Sequence, residues 1–119
     1  GYVLDKLLPQ ARRIQDVQIA ALGLAFKPNI DDLRESPARQ IVGQLAVELP
    51  NAKIMAVEPN IDRLPKELEE RDNVTLTEVS GAIRAADIVL LLVDHNEFTR
   101  IDRTLLTQKI VHDTRGVWG

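Results

Sequence analysis

The residues of this 119-residue chain that could do chemistry fall into two clusters, each placed just after an apolar run. The first is Gly23-Leu24-Ala25-Phe26-Lys27-Pro28, followed by Asp31, Asp32 and Arg34; the second is Asp113-Thr114-Arg115-Gly116. Each supplies a cation, Lys27 or Arg115, where a strand is expected to end. Two such cations on one side of a sheet could hold a pyrophosphate, since each charge-assisted hydrogen bond contributes roughly 1.5–3 kcal/mol. A dinucleotide loop would instead read G-x-G-x-x-G, because only glycine lets the backbone approach the pyrophosphate closely. Here Phe26, Lys27 and Pro28 stand where small residues are needed, so the first turn is not built to carry NAD in the usual way.

The other polar candidates read as structure. Adjacent acids such as Asp31 and Asp32 form turns and caps more often than paired-carboxylate sites. Arg34 and Glu35 can pair with each other or brace a helix start, where an acid suits the dipole, or an arginine fork can serve a ligand. His95 follows a strand end and His112 reads as a sheet residue; neither has a visible nucleophile or metal partner. No catalytic residue and no metal site are expected in the chain. Trp118 is expected to anchor packing or an interface.

The elements that must position these clusters follow from periodicity. Leu4, Leu7, Leu8, Ala11 and Ile14 recur at helical spacing, predicting an amphipathic helix over 2–14 that Pro9 kinks or restarts. Val17 to Leu24 reads as a buried strand. Ser36-Pro37 offers a side-chain cap and then proline at the first helical position, and Ile41, Val42, Leu45, Ala46 and Leu49 give that helix an inward face, ended by Pro50-Asn51. Strands are predicted at Lys53 to Val57, stopped by Glu58-Pro59-Asn60, and at Val74 to Leu76, Asp87 to Val93 and Lys109 to His112. Short helices are predicted at Glu78 to Ala85 and Thr99 to Leu106. Continuous apolar strands alternating with helices imply a parallel sheet covered on both faces: a Rossmann-like α/β three-layer sandwich of about five strands, preceded by a helix. Ligands in such sheets sit beyond the carboxyl ends of the strands, which marks the loops after Leu24, Val57, Val93 and His112.

Composition narrows the function classes. The net charge is −3 with Lys and Arg scattered, and aromatic residues are 3%, so neither an electrostatic track nor stacking platforms for nucleic acid are present. No cysteine occurs, which excludes disulfides, thiolate metal sites and a cysteine nucleophile. The longest apolar run, Ile88 to Val93, is far shorter than the roughly 20 residues that cross a bilayer. No membrane partner and a cytoplasmic location are expected. The start at Gly1 without methionine suggests a processed or excised fragment.

The run Gly23-Leu24-Ala25-Phe26-Lys27-Pro28-Asn29-Ile30-Asp31-Asp32-Leu33-Arg34-Glu35-Ser36-Pro37-Ala38 resembles the segment that opens the UDP-binding domain of the UDP-glucose/GDP-mannose dehydrogenase family. Val57-Glu58-Pro59-Asn60, Val93-Asp94-His95 and Asp113-Thr114-Arg115-Gly116-Val117-Trp118 resemble the UDP-N-acetyl-D-mannosamine branch more than the UDP-glucose branch. The resemblance implies an enzyme with an N-terminal NAD-binding domain, a long central helix and a C-terminal Rossmann-like domain. Such an enzyme oxidises a sugar C6 alcohol to a carboxylate in two NAD-dependent steps through a cysteine-bound thiohemiacetal. On that reading residues 1–15 end the connecting helix and 16–119 form the UDP-binding domain. Phe26, Lys27 and Arg115 would contact the UDP-sugar, and Arg34 would reach NAD held mainly by the other domain. The fragment alone would be inactive, and the whole enzyme a dimer or larger. The product would be UDP-N-acetyl-D-mannosaminuronate for bacterial surface polysaccharide. Thr114 departs from the pattern, since UDP-glucose dehydrogenases usually place glycine before that arginine. The alternatives are the same domain from a dehydrogenase of another UDP-hexose or UDP-N-acetylhexosamine, a free-standing nucleotide-binding or regulatory module, and a dimerisation domain pairing through the apolar face of residues 2–14.

Overall fold

A computed structural model describes residues 2–25 and 36–118. The runs Gln18–Leu22 (β1), Lys53–Val57 (β2), Val74–Leu76 (β3), Ile88–Leu91 (β4) and Ile110–Asp113 (β5) form one parallel sheet in the order β3-β2-β1-β4-β5. Alternate residues of the central strands feed two separate cores, as the period of two requires. Ile19, Ala21, Ile54, Ala56, Ile88 and Leu90 face one side, where helices Tyr2–Ala11 (α1), Pro37–Glu48 (α2) and Lys66–Glu69 (α3) bury Leu4, Leu7, Val42, Leu45 and Leu68. Ala20, Leu22, Met55, Val57, Val89 and Leu91 face the other, against Ala82 and Ile83 of helix Val79–Ala85 (α4), Phe98 of helix Asn96–Thr99 (α5), Leu106 and Trp118. The expected three-layer α/β sandwich, with a helix before its first strand, is the observed one.

Local chemistry explains the boundaries. Ser36 caps α2 by accepting from the Arg39 amide at 3.1 Å, with Pro37 at the first helical position, where its missing N–H costs nothing. Glu78 is a cap rather than a helical residue, its carboxylate accepting from the Ser80 and Gly81 amides. Trp118 is buried, and its indole Nε1 donates to the Phe98 carbonyl at 2.9 Å, which makes it a packing anchor.

Three expectations change. Helix α1 stops at Ala11 and continues through Pro9 without restarting. The charged stretch from Lys66, for which no element is expected from the sequence, holds a one-turn helix that buries Leu68. The helix expected over Thr99 to Leu106 is two pieces, α5 and a 3-10 turn at Arg103–Leu106. The break falls at Asp102, whose side chain accepts from the Thr104 amide at 3.0 Å and starts the second turn afresh, as Asp does when it competes for local amides.

Candidate functional site

The order of the strands reverses between β1 and β4: β2 and β3 extend the sheet on one side of β1, β5 on the other. A crevice opens beyond the carboxyl ends at such a reversal. Gly23 lies there with φ +101, and a Cβ on it would stand 2.5 Å from the Cβ of Val93. Glycine is therefore required twice, by conformation and by contact.

After Gly23 the backbone is held from several directions. Glu58, just past β2, is buried, and its Oε1 accepts from the amides of Leu24 at 2.9 Å and Ala25 at 3.2 Å. The same oxygen lies 3.0 Å from Nε2 of His95, just past β4, and both side chains are fully excluded from solvent. Burial pushes the Glu58 carboxyl up. Hydrogen bonds from His95 and Leu24, the charge of His95 and the Asn60 amide outweigh it and leave the group below its usual value of 4.5. A carboxylate accepts only, so His95 Nε2 donates. From the other side, the buried Ser36 hydroxyl donates to the Leu24 carbonyl at 2.5 Å.

The turn after β5 is built on Asp113. Its Oδ1 accepts from the amides of Arg115 and Gly116, and its Oδ2 from the Trp118 amide at 2.8 Å. Thr114, the departure from the family pattern, ties that turn to the sheet. Its hydroxyl donates to the Leu91 carbonyl at 2.6 Å, and its amide meets the same carbonyl at 3.2 Å, which fastens the turn to the end of β4. Arg115 is half exposed, with Nε 3.4 Å from Asp94 Oδ1 in an ion pair that makes no hydrogen bond.

Arg115, Asp94, Ala25, Pro37, Ala38 and Val93 line a cleft of about 90 Å³. It adjoins a wider one of about 510 Å³, where Lys6 of α1 and His112 join Arg115. Another cleft, of about 590 Å³, lies between residues 11–17 and 48–52 at the amino ends of the strands, the wrong end for a ligand in an open α/β sheet. Among the sequence-predicted site residues, Arg115 lies on the crevice. Phe26, Lys27 and Arg34 lie outside the described residues, as do Asp31, Asp32 and Glu35; the chain leaves the crevice wall at Ala25 and re-enters the described structure at Ser36. His112 is a sheet residue as expected, its Nε2 donating to Gln10 Oε1 at 2.6 Å. Sequence reasoning missed Glu58, which reads there as a strand stop, and Lys6, on the polar side of α1. His95, which shows no partner in the sequence, has one in Glu58.

The site does not fit a dinucleotide pyrophosphate at the first turn. The amides of Leu24 and Ala25, which would face that anion, are already bound to the Glu58 carboxylate, and Leu24 is buried. No step is assigned to NAD on this chain. Among the described residues no group of His, Asp and Glu could hold a metal ion, and no helix is long and apolar enough to cross a membrane.

Residues 20–119 match the model of the UDP-glucose/GDP-mannose dehydrogenase family, UDP binding domain. An NDP-N-acetyl-D-galactosaminuronic acid dehydrogenase of Ralstonia nicotianae is 47% identical over 98% of the chain and 27% of its own length. A UDP-N-acetyl-D-mannosamine dehydrogenase of Salmonella typhi is likewise 47% identical over 98% of the chain and 27% of its own length. Among solved structures, a UDP-N-acetyl-mannosamine dehydrogenase of S. aureus superposes with a TM-score of 0.73 at 28% identity, covering 98% of the chain and 26% of that protein. The chain thus spans about a quarter of the length of these relatives.

Proposed function

The chain belongs to the UDP-glucose/GDP-mannose dehydrogenase family, as its UDP-binding domain, and we propose that it supplies the uridine-diphosphate half of the substrate site in an NAD-dependent UDP-N-acetyl-D-mannosamine 6-dehydrogenase. The observation that carries this reading is the cation-bearing crevice at the strand-order reversal, with Arg115 on one wall and the chain leaving the other wall at Ala25 toward Phe26 and Lys27. In this reading Lys27 and Arg115 hold the pyrophosphate, Phe26 packs on the substrate, and Arg34 reaches NAD. NAD, bound mainly by a further domain, would supply the hydride acceptor for oxidation of the sugar alcohol. Residues 1–15 end the helix that connects the two, and the whole enzyme works as a dimer or larger assembly.

The relatives named for the mannosamine and galactosaminuronic nucleotides are equally similar to this chain, which favours an N-acetylhexosamine substrate and keeps the galacto-configured sugar as the second reading. Two-dimensional amide spectra of the labelled chain during addition of UDP test the assignment. Shifts are expected at Ala25, Ser36, Asp94, Arg115 and Gly116. Shifts confined to the far cleft around Gln15 and Asn51 would refute it.

A further inference from the structure

At the first turn of a nucleotide-binding sheet, free backbone amides ordinarily face an anion supplied by the ligand. In this chain the protein supplies that anion itself. One oxygen of Glu58 gathers donors from two other loops: the amides of Leu24 and Ala25 after β1, and the imidazole of His95 after β4. Its second oxygen accepts from Asn60, through the side chain at 3.2 Å and the amide at 3.4 Å, which fixes the carboxylate's own orientation. The His95 ring is packed in turn against Phe98, with centroids 5.4 Å apart.

A buried polar pair of this kind adds little stability over an apolar pair of equal size. Its placement across three strand ends matters for what it holds. Ala25 is one wall of the small cleft. Asp94, which precedes His95 in the chain, lines the same cleft from the end of β4 and pairs with Arg115. The buried 3.0 Å contact between Glu58 and His95 therefore links the Ala25 side of the lining to the Asp94–Arg115 side, beyond the point where the backbone bonds from Leu92 and Val93 to the Leu22 carbonyl join the two strands.

We propose that Glu58 and His95 are positioning residues for the nucleotide, fixing the Ala25 wall against the Asp94–Arg115 wall so that the Arg115 guanidinium meets the pyrophosphate; this rests on reading the crevice as the UDP site. Neither residue touches the ligand. Each acts through the backbone it holds, and a displacement of about 1 Å at such a distance can cost up to a hundredfold in a positioned interaction.

The test is a double-mutant cycle on UDP affinity, using Glu58→Gln, Arg115→Ala and the pair, because coupling between sites appears as non-additivity. Glu58→Gln keeps the shape and removes the charge, and it is expected to weaken UDP about tenfold while adding less than twofold on the Arg115→Ala background. An affinity equal to that of the unsubstituted chain, or an equal loss on both backgrounds, overturns the proposal; in either case a loss with Arg115→Ala alone leaves the UDP reading standing. Where Glu58→Gln does not fold, His95→Gln carries the same cycle. If the unsubstituted chain takes up no UDP, the ligand reading fails, and amide hydrogen exchange decides the positioning claim. Leu24 and Ala25 exchanging at least tenfold faster in Glu58→Gln, with Ile88 and Leu90 unchanged, upholds the part of it by which Glu58 fixes the Ala25 backbone. Unchanged rates at Leu24 and Ala25 overturn it.

Discussion

The Ser36 hydroxyl donates to the Leu24 carbonyl at 2.5 Å while accepting from the Arg39 amide, so one buried side chain both starts α2 and ties that start to the end of β1. Ser36→Ala removes a helix cap and leaves a buried carbonyl without its donor. Together these are expected to lower stability by about 2 kcal/mol, read as a shift in the urea midpoint with an unchanged slope.

The two glycines with positive φ among the described residues are expected to differ sharply. Gly23→Ala must place a Cβ against Val93 at 2.5 Å in an unfavourable backbone conformation, costing about 3 kcal/mol. Val93→Ala does not rescue it, since the Val93 Cβ itself makes that contact. Gly116→Ala, at φ +71 with open space around it, is expected to cost only about 1 kcal/mol. Thermal unfolding of the three variants separates these cases; equal losses at Gly23 and Gly116 would contradict the contact argument.

Stability is expected to fall as the pH falls below neutrality. Burial lowers the pKa of His112 from its ordinary value of 6.5, and the charge of Lys6 lowers it further. The unfolded chain therefore takes up that proton first, so this contribution is fully present above pH 6.5 and is lost as the pH drops through the folded value. The protonated ring would also stand beside Lys6 at the junction where His112 meets Gln10 of α1. Glu58 acts in the same direction at lower pH, below its ordinary 4.5. Urea midpoints between pH 7.5 and 5 are expected to decline, and the decline to flatten in His112→Gln; an identical decline in that variant would assign it elsewhere.

Much of this architecture is legible in the sequence, for local reasons. Strands β2 and β3 fall at their expected residues because each is a short apolar run between turn formers, and Ser36-Pro37 announces α2 through a cap and a fixed φ. What is illegible is non-local. Apart from Asn60, the partners of Glu58 lie 33 to 37 positions away, and no periodicity reports that a strand-stopping glutamate turns inward. Thr114 reads as a restriction on its turn until the Leu91 carbonyl gives its hydroxyl a partner. The helix expected over Thr99 to Leu106 fails because Asp102 reads as a helical residue and acts as a cap.

Arg115 is expected to contribute to binding and hardly to folding. Its guanidinium is half exposed and its ion pair with Asp94 spans 3.4 Å, a type of contact that contributes well under about 1 kcal/mol. Arg115→Ala is expected to leave the unfolding midpoint nearly unchanged and to weaken UDP about tenfold, the loss of one charge-assisted hydrogen bond. Arg115→Lys is expected to recover only part of that loss, since an ammonium lacks the planar fork.

Calorimetric titration of this chain with UDP, with NAD in a parallel cell, addresses the assignment most directly. Saturable uptake of UDP at one site, weakened about tenfold in Lys27→Ala and in Arg115→Ala and increasingly weak as salt is raised, is the expected result, together with no heat from NAD. Uptake of NAD in place of UDP, or UDP affinity indifferent to both substitutions, would contradict it.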